Sequence, residues 1–123
     1  MTTAGRGRPT LDELAARLAE FARERDWDQF HAPKNLAMAL AGEVGELLEH
    51  FQWLTEEQSR ALPPDSKDAV ALELADVLLY LVRLADKLDV DLAAAADRKI
   101  ALNAEKYPVE GFRGSARKYD QAE

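Results

Sequence analysis

The chain has 123 residues, long enough for one domain with a sizeable core, and its 23 acidic against 16 basic side chains leave a net charge of −7. That balance argues against a basic face for nucleic-acid polymer. It does not exclude a small anionic ligand, because divalent cations can bridge acid to phosphate.

Residues 1–9 are polar, with Arg6 and Arg8 but no apolar segment after them, and read as a disordered tail rather than a signal peptide. Thr10 followed by Glu13 in TLDE is a capping box that opens a first helix over about 11–25. Leu11, Leu14, Leu18 and Phe21 form its apolar stripe. RDWDQFHAPKN then breaks the pattern, and Pro33 favours the start of a second helix over about 33–54. Thr55 before EEQ restarts a short helical turn that ends before Pro63 and Pro64. Asp65 or Ser66 can cap a third helix, about 66–88, the most apolar of the set through Val70, Leu74, Val77, Leu78, Leu81 and Val82. Asp89 or Asp91 can cap a fourth, about 91–106, stopped by Pro108, and residues 109–123 read as an irregular tail. No stretch alternates with period two long enough for a strand. The expected fold is all-α, a four-helix-bundle-like domain over residues 10–108. The longest apolar run near residue 80 is VLLYLV, far short of a membrane span, so cytoplasmic residence is the default expectation. Without cysteine there are no disulfides, thiolate metal sites or thiol catalysis.

Within the second helix, AGEVGELLEHFQWL sets Glu43, Glu46 and Glu49 three apart in an otherwise apolar stretch. Like charges one turn apart repel by about 0.2–0.5 kcal/mol per pair on an exposed helix, and by far more if buried without a partner. ELAD on the third helix repeats the spacing with Glu73 and Asp76, and Tyr80 follows one turn later. If the two helices pack antiparallel, the pairs can meet across one seam, where four carboxylates cannot all stay ionised unaided. Mg²⁺ would resolve the conflict, since it takes oxygen ligands, keeps several waters and binds substrate phosphates. Gly42 and Gly45 each cost about 1 kcal/mol relative to Ala inside a helix, which fits a close approach by backbone or ligand. From these residues alone two readings stay open, a solvated acidic face and a metal site.

The order ExxE, spacer, ExxD, set among WDQFHAPKNLAMALAGEVGELLEHFQW, ELADVLLYLVRLA and VDLAAAADRKIALNAEKYP, resembles the MazG-like all-α nucleoside triphosphate pyrophosphohydrolases. Within them it is most similar to the branch that acts on dCTP, over about residues 15–119. The resemblance implies Mg²⁺-dependent cleavage of a nucleoside triphosphate to the monophosphate and pyrophosphate, in the service of nucleotide-pool house-cleaning. It implies Glu43, Glu46, Glu73 and Asp76 as metal ligands. The base and sugar pocket falls on Trp27 to His31, Phe30 included, with Trp53 and Tyr80. It also implies a homo-oligomer, a dimer or a tetramer built as a dimer of dimers, in which neighbouring subunits help to enclose each site. One position departs from the branch: Leu18 stands where a histidine is found, which widens the expected substrates from dCTP to base-modified analogues such as 5-methyl-dCTP.

The mechanism expected on this footing is metal-assisted attack of water on the α-phosphorus. Glu46 and Glu49 are the candidates to take the proton, and the sequence does not choose between them. Trp27, Phe30 and Trp53 could stack on a base, since aromatic faces stack on any nucleobase. His31 lies in an interhelical connection, a good place for a ligand contact. Lys99 and Asn103, spaced i, i+4, and Tyr107 one turn further give the fourth helix a row of donors for phosphate. Lys118 joins them if the tail folds over the site. Two other readings compete: a broad-specificity house-cleaning pyrophosphatase, and a non-catalytic dimerising helical module with solvated acids. A ferritin-like di-iron bundle needs ExxH pairs and fails, because His31 and His50 are the only histidines and Leu47 stands three before His50.

Overall fold

Thr10 opens the first helix as its spacing to Glu13 dictates. In the computed structural model, which describes residues 7–116, its hydroxyl accepts from the Glu13 amide at 3.1 Å and the Glu13 carboxylate accepts from the Thr10 amide. Helix α1 (Leu11–Glu24) follows. It ends in a Schellman turn: Asp26 takes a left-handed φ of 55°, its amide donates to Arg23 O, and the Trp27 amide donates to Ala22 O at 2.8 Å. Asp tolerates that conformation because its short polar side chain bonds locally. A 3₁₀ turn (Asp28–Phe30) occupies the break in the periodic pattern.

Pro33 is the first residue of α2 (Pro33–Glu49), and the Asn35 side-chain amide donates to the Phe30 carbonyl at 3.2 Å, tying the 3₁₀ turn to the helix start. Helix α2 is shorter than its pattern suggested. At its end i→i−3 bonds from His50 to Leu47 and from Phe51 to Leu48 join a last i→i−4 bond from Gln52 to Leu48, and residues 51–53 continue as turns. Helix α3 (Glu56–Ser59) is one turn held by a second capping box, Thr55 with Gln58. Helix α4 (Pro64–Lys87) starts earlier than expected, because Pro64 supplies the first helical φ and no Asp65 or Ser66 cap is needed. It closes as α1 does, with Asp89 at φ 55° and the Val90 amide on Ala85 O at 2.9 Å. Asp91, not Asp89, caps α5 (Leu92–Lys106), accepting from the Ala94 amide at 3.0 Å. The stretch expected to be irregular contains one more turn of helix, α6 (Val109–Phe112), started by Pro108, with Phe112 edge-on to Tyr107 at 4.9 Å between ring centroids.

No strand occurs among the described residues, and no helix among them is long and apolar enough to cross a membrane. The chain divides into two compact units between Val90 and Asp91, so the fourth helix of the expected bundle falls in the second unit. Within the first unit α4 is the central element and packs against both α1 and α2. Its core is small: Leu36 of α2, 2% exposed, Ala22 of α1, and Val70, Val82 and Ala85 of α4. Large apolar side chains on the same helices face outward, among them Met38, Leu48 and Leu72, the last 71% exposed. Residues 1–6, most of the expected N-terminal tail, and Lys118 lie outside the described residues.

Candidate active site

Regular helix on α2 and α4 fixes where the acids go. Because i and i+3 share a face, Glu73 and Asp76 leave α4 on one side, and Glu43 leaves α2 toward them. The three carboxylates each offer an oxygen within 4.8 Å of the others. Glu43 and Glu73 are half-buried, and one oxygen of each, Oε2, is buried without any hydrogen-bond partner. Buried acceptors are almost always satisfied, so two orphaned oxygens in one acidic group fit residues built to hold a cation. His50, next to α2, brings its Nε2 to 4.0 Å from Glu73 Oε1.

Glu46 is exposed and stands outside that tight trio. Side-chain interaction with Glu46, then burial, then the charges of Glu46, Asp76 and Glu73 push the Glu43 carboxyl up to about 7. The donor set is all oxygen, which suits a hard divalent metal and not a soft one. Glu49 is exposed on α2 and does not join the trio. The close approach expected at Gly42 and Gly45 is not made within the described chain, since a Cβ added at either would meet nothing within 4 Å.

Asp76 has a second neighbour. It also lines a cavity of about 490 Å³ between α1, the 3₁₀ turn and α4. Its walls are mainly apolar and aromatic, with Leu18 and Phe21 from α1, Trp27 before the 3₁₀ turn, and Tyr80 one turn along α4 from Asp76. Trp27 meets Phe21 edge to face at 5.7 Å between centroids, and the Arg25 guanidinium lies 3.5 Å over the Phe21 ring, so the indole is held from behind. The Schellman turn at Asp26 is what redirects the chain to put Trp27 there.

Of the residues singled out from the sequence, Trp27, His31, Tyr80 and Asp76 are thus brought to one cavity, and Asp76 joins it to Glu43 and Glu73. Phe30 and Trp53 do not line it; Trp53, in the turns after α2, is 86% exposed. Lys99 and Asn103 are exposed on α5, with Tyr107 at its C-terminal cap, in the second unit. Sequence reasoning missed Arg83. It is buried, and it donates to His31, Asp28 and Asp86. The available signal was a single cation inside VLLYLVRLA, one turn past Tyr80.

The MazG-like family model matches residues 39–121. dCTP pyrophosphatase 1 of Mus musculus is 53% identical over 113 residues, which cover 90% of this chain and 66% of the mouse protein. The Homo sapiens protein of that name is 48% identical over 115 residues, 92% of this chain and 68% of the human one. The chain therefore spans about two-thirds of the length of these relatives. Among solved structures, a pyrophosphatase from Archaeoglobus fulgidus matches with a TM-score of 0.76 at 39% identity, over 82% of this chain and 94% of that one.

Proposed function

The chain belongs to the MazG-like family, and from that premise we propose that it is a nucleoside triphosphate pyrophosphohydrolase converting dCTP to dCMP and pyrophosphate. Base-modified analogues such as 5-methyl-dCTP fall within the same reading, because Leu18 presents an apolar side chain to the cavity. The observation that carries it is Asp76, shared by a mainly apolar and aromatic cavity and by a carboxylate group with two unsatisfied buried oxygens.

Glu43, Glu46, Glu73 and Asp76 would hold Mg²⁺, which fits the all-oxygen donor set and the two orphaned acceptors. When bound, the ion supplies charge neutralisation at the phosphates and acidifies water. Trp27 and Tyr80 hold the base, the indole by stacking. Water attacks the α-phosphorus; its oxygen forms the new P–O bond while the bond to the bridging α–β oxygen breaks, and pyrophosphate leaves with the electron pair. The proton passes to a carboxylate oxygen of Glu46 or Glu49, both exposed and so open to solvent for release. On the resemblance alone, Lys99, Asn103, Tyr107 and Lys118 are proposed as phosphate donors.

The protein acts as a homo-oligomer, a dimer or a dimer of dimers. The outward apolar side chains of α2 and α4 support this, since Met38, Leu48 and Leu72 are too exposed for a monomer's core. Phe30 and Trp53 then serve a neighbouring subunit's site rather than their own. Cytoplasmic nucleotide-pool house-cleaning completes the reading.

A substrate panel tests it. With Mg²⁺, dCTP and 5-methyl-dCTP should give monophosphate and pyrophosphate with kcat/KM at least about tenfold above dUTP and dATP. Equal rates on all four would make it a broad-specificity house-cleaning enzyme. No Mg²⁺-dependent pyrophosphate release would leave the non-catalytic helical module.

A further inference from the structure

Arg83 sits in the most apolar stretch of the chain and is only 6% exposed. A cation buried to that degree persists only where its donors are met. Nη2 donates to Asp28 Oδ1 at 2.6 Å and Nη1 to Asp86 Oδ2 at 3.3 Å, while Lys87 places a second cation 2.5 Å from Asp28 Oδ1. These contacts hold the guanidinium plane. The remaining one is of another kind: Nε donates to Nδ1 of His31 at 3.1 Å, across 52 residues of sequence. A guanidinium has no acceptor and does not lose its proton, so Nδ1 must be the bare nitrogen and the imidazole proton must sit on Nε2. Among the described residues the imidazole has no other hydrogen-bond partner, and both His31 and Arg83 line the cavity with Trp27 and Tyr80.

We propose that Arg83 is a positioning residue that fixes His31 as a neutral imidazole whose Nε2–H donates to an uncharged acceptor, a carbonyl oxygen or ring nitrogen, on the nucleoside bound in the cavity. The inference rests on reading the cavity as the nucleoside pocket. The mainly apolar and aromatic walls suit a base more than a phosphate, and an uncharged donor recognises a base without bringing a second buried cation beside Arg83. Protonation at Nδ1 is opposed, because it would set N–H against N–H. Burial first, and then the Arg83 charge, hold His31 below its ordinary range, with Asp28 pulling the other way and Lys87 reinforcing Arg83. Asp86, Asp76 and Tyr80 of α4 and Arg17 of α1 are the other titratable or charged groups around it.

The wild-type chain holds only two histidines, so a long-range ¹H–¹⁵N spectrum shows two imidazoles, and His31→Gln assigns which is which. The expected result is an Nε2–H tautomer for His31 at neutral pH. An Nδ1–H tautomer, or a mixture, overturns the proposal without any substituted protein. Arg83→Gln should release the tautomer, raise the pH at which His31 charges, and raise KM for dCTP roughly tenfold with kcat nearly unchanged. In an H31Q background the same substitution should leave KM unchanged. An equal KM increase in both backgrounds makes Arg83 a general structural residue and overturns the inference. A wild-type protein that shows the Nε2–H tautomer but does not bind dCTP overturns the nucleoside reading and the acceptor assigned here, whereas the wrong tautomer with normal turnover overturns the role of Arg83 alone.

Discussion

Glu43 reports on the acidic group in a way that pH can read. Its folded-state carboxyl titrates near 7 against an ordinary 4.5, so between those values the folded chain holds more protons than the unfolded one. The contribution is complete below the ordinary value and is lost as pH rises through the folded one. The metal-free protein should therefore lose thermal stability between about pH 5 and pH 8, and Glu43→Gln should flatten that slope. Because a divalent metal needs the deprotonated carboxylate, Mg²⁺ should restore the loss above pH 7 in the wild type and not in the variant. Scanning calorimetry across pH checks both; a Tm that climbs with pH in the metal-free wild type would contradict them. At Trp27, substitution by Ala removes a stacking face worth about 1–3 kcal/mol and should raise KM for dCTP by roughly ten- to a hundredfold, measured by pyrophosphate release. The acids were legible because i, i+3 spacing interrupts apolar stripes on two helices; Tyr80 was placed beside them by the same spacing, and only the resemblance gave it and Trp27 a pocket role. Arg83 was not legible: its partners Asp28 and His31 lie more than fifty positions away, and no local pattern encodes such a contact.

The elements follow from caps and rigid residues. Thr10, Pro33, Thr55 and Asp91 each start a helix where side-chain oxygen or fixed φ dictates, and all four are visible in sequence. What sequence did not disclose depends on backbone geometry. The left-handed Asp26 and Asp89, the 3₁₀ turn and the early end of α2 come from i→i−3 and Schellman bonds that several residue types can make. Thr10→Ala should cost about 1 kcal/mol through the lost cap. Leu36→Ala should cost about 2–5 kcal/mol, because among the described residues Leu36 is the largest apolar side chain with almost no exposure. Urea unfolding followed by circular dichroism measures both, and a cost at Leu36 below that at Thr10 would mean that the α2–α4 contact does not hold the unit together.

On the scale of the whole molecule, the proposed assembly is tested at the exposed apolar helix faces of the first unit. Leu72→Glu distinguishes the cases: on a free surface it changes stability by less than about 0.5 kcal/mol, whereas at a subunit interface it should dissociate the oligomer. Light scattering after size exclusion would read the change in mass. The all-α class and the meeting of Glu43 with Glu73 and Asp76 were legible because helical periodicity and acid spacing are local, whereas Glu46 stands outside that trio. The division between Val90 and Asp91 was not, since it depends on which faces find partners. The central claim remains that α2 and α4 bring Glu43, Glu73 and Asp76 together to serve one divalent metal and one triphosphate. Its most direct test is pyrophosphate release from dCTP with and without Mg²⁺, on wild type and on Asp76→Asn checked for unchanged helicity. The account predicts Mg²⁺-dependent turnover that the variant loses by about a hundredfold or more, and a fully active D76N protein, or turnover indifferent to Mg²⁺, would contradict it.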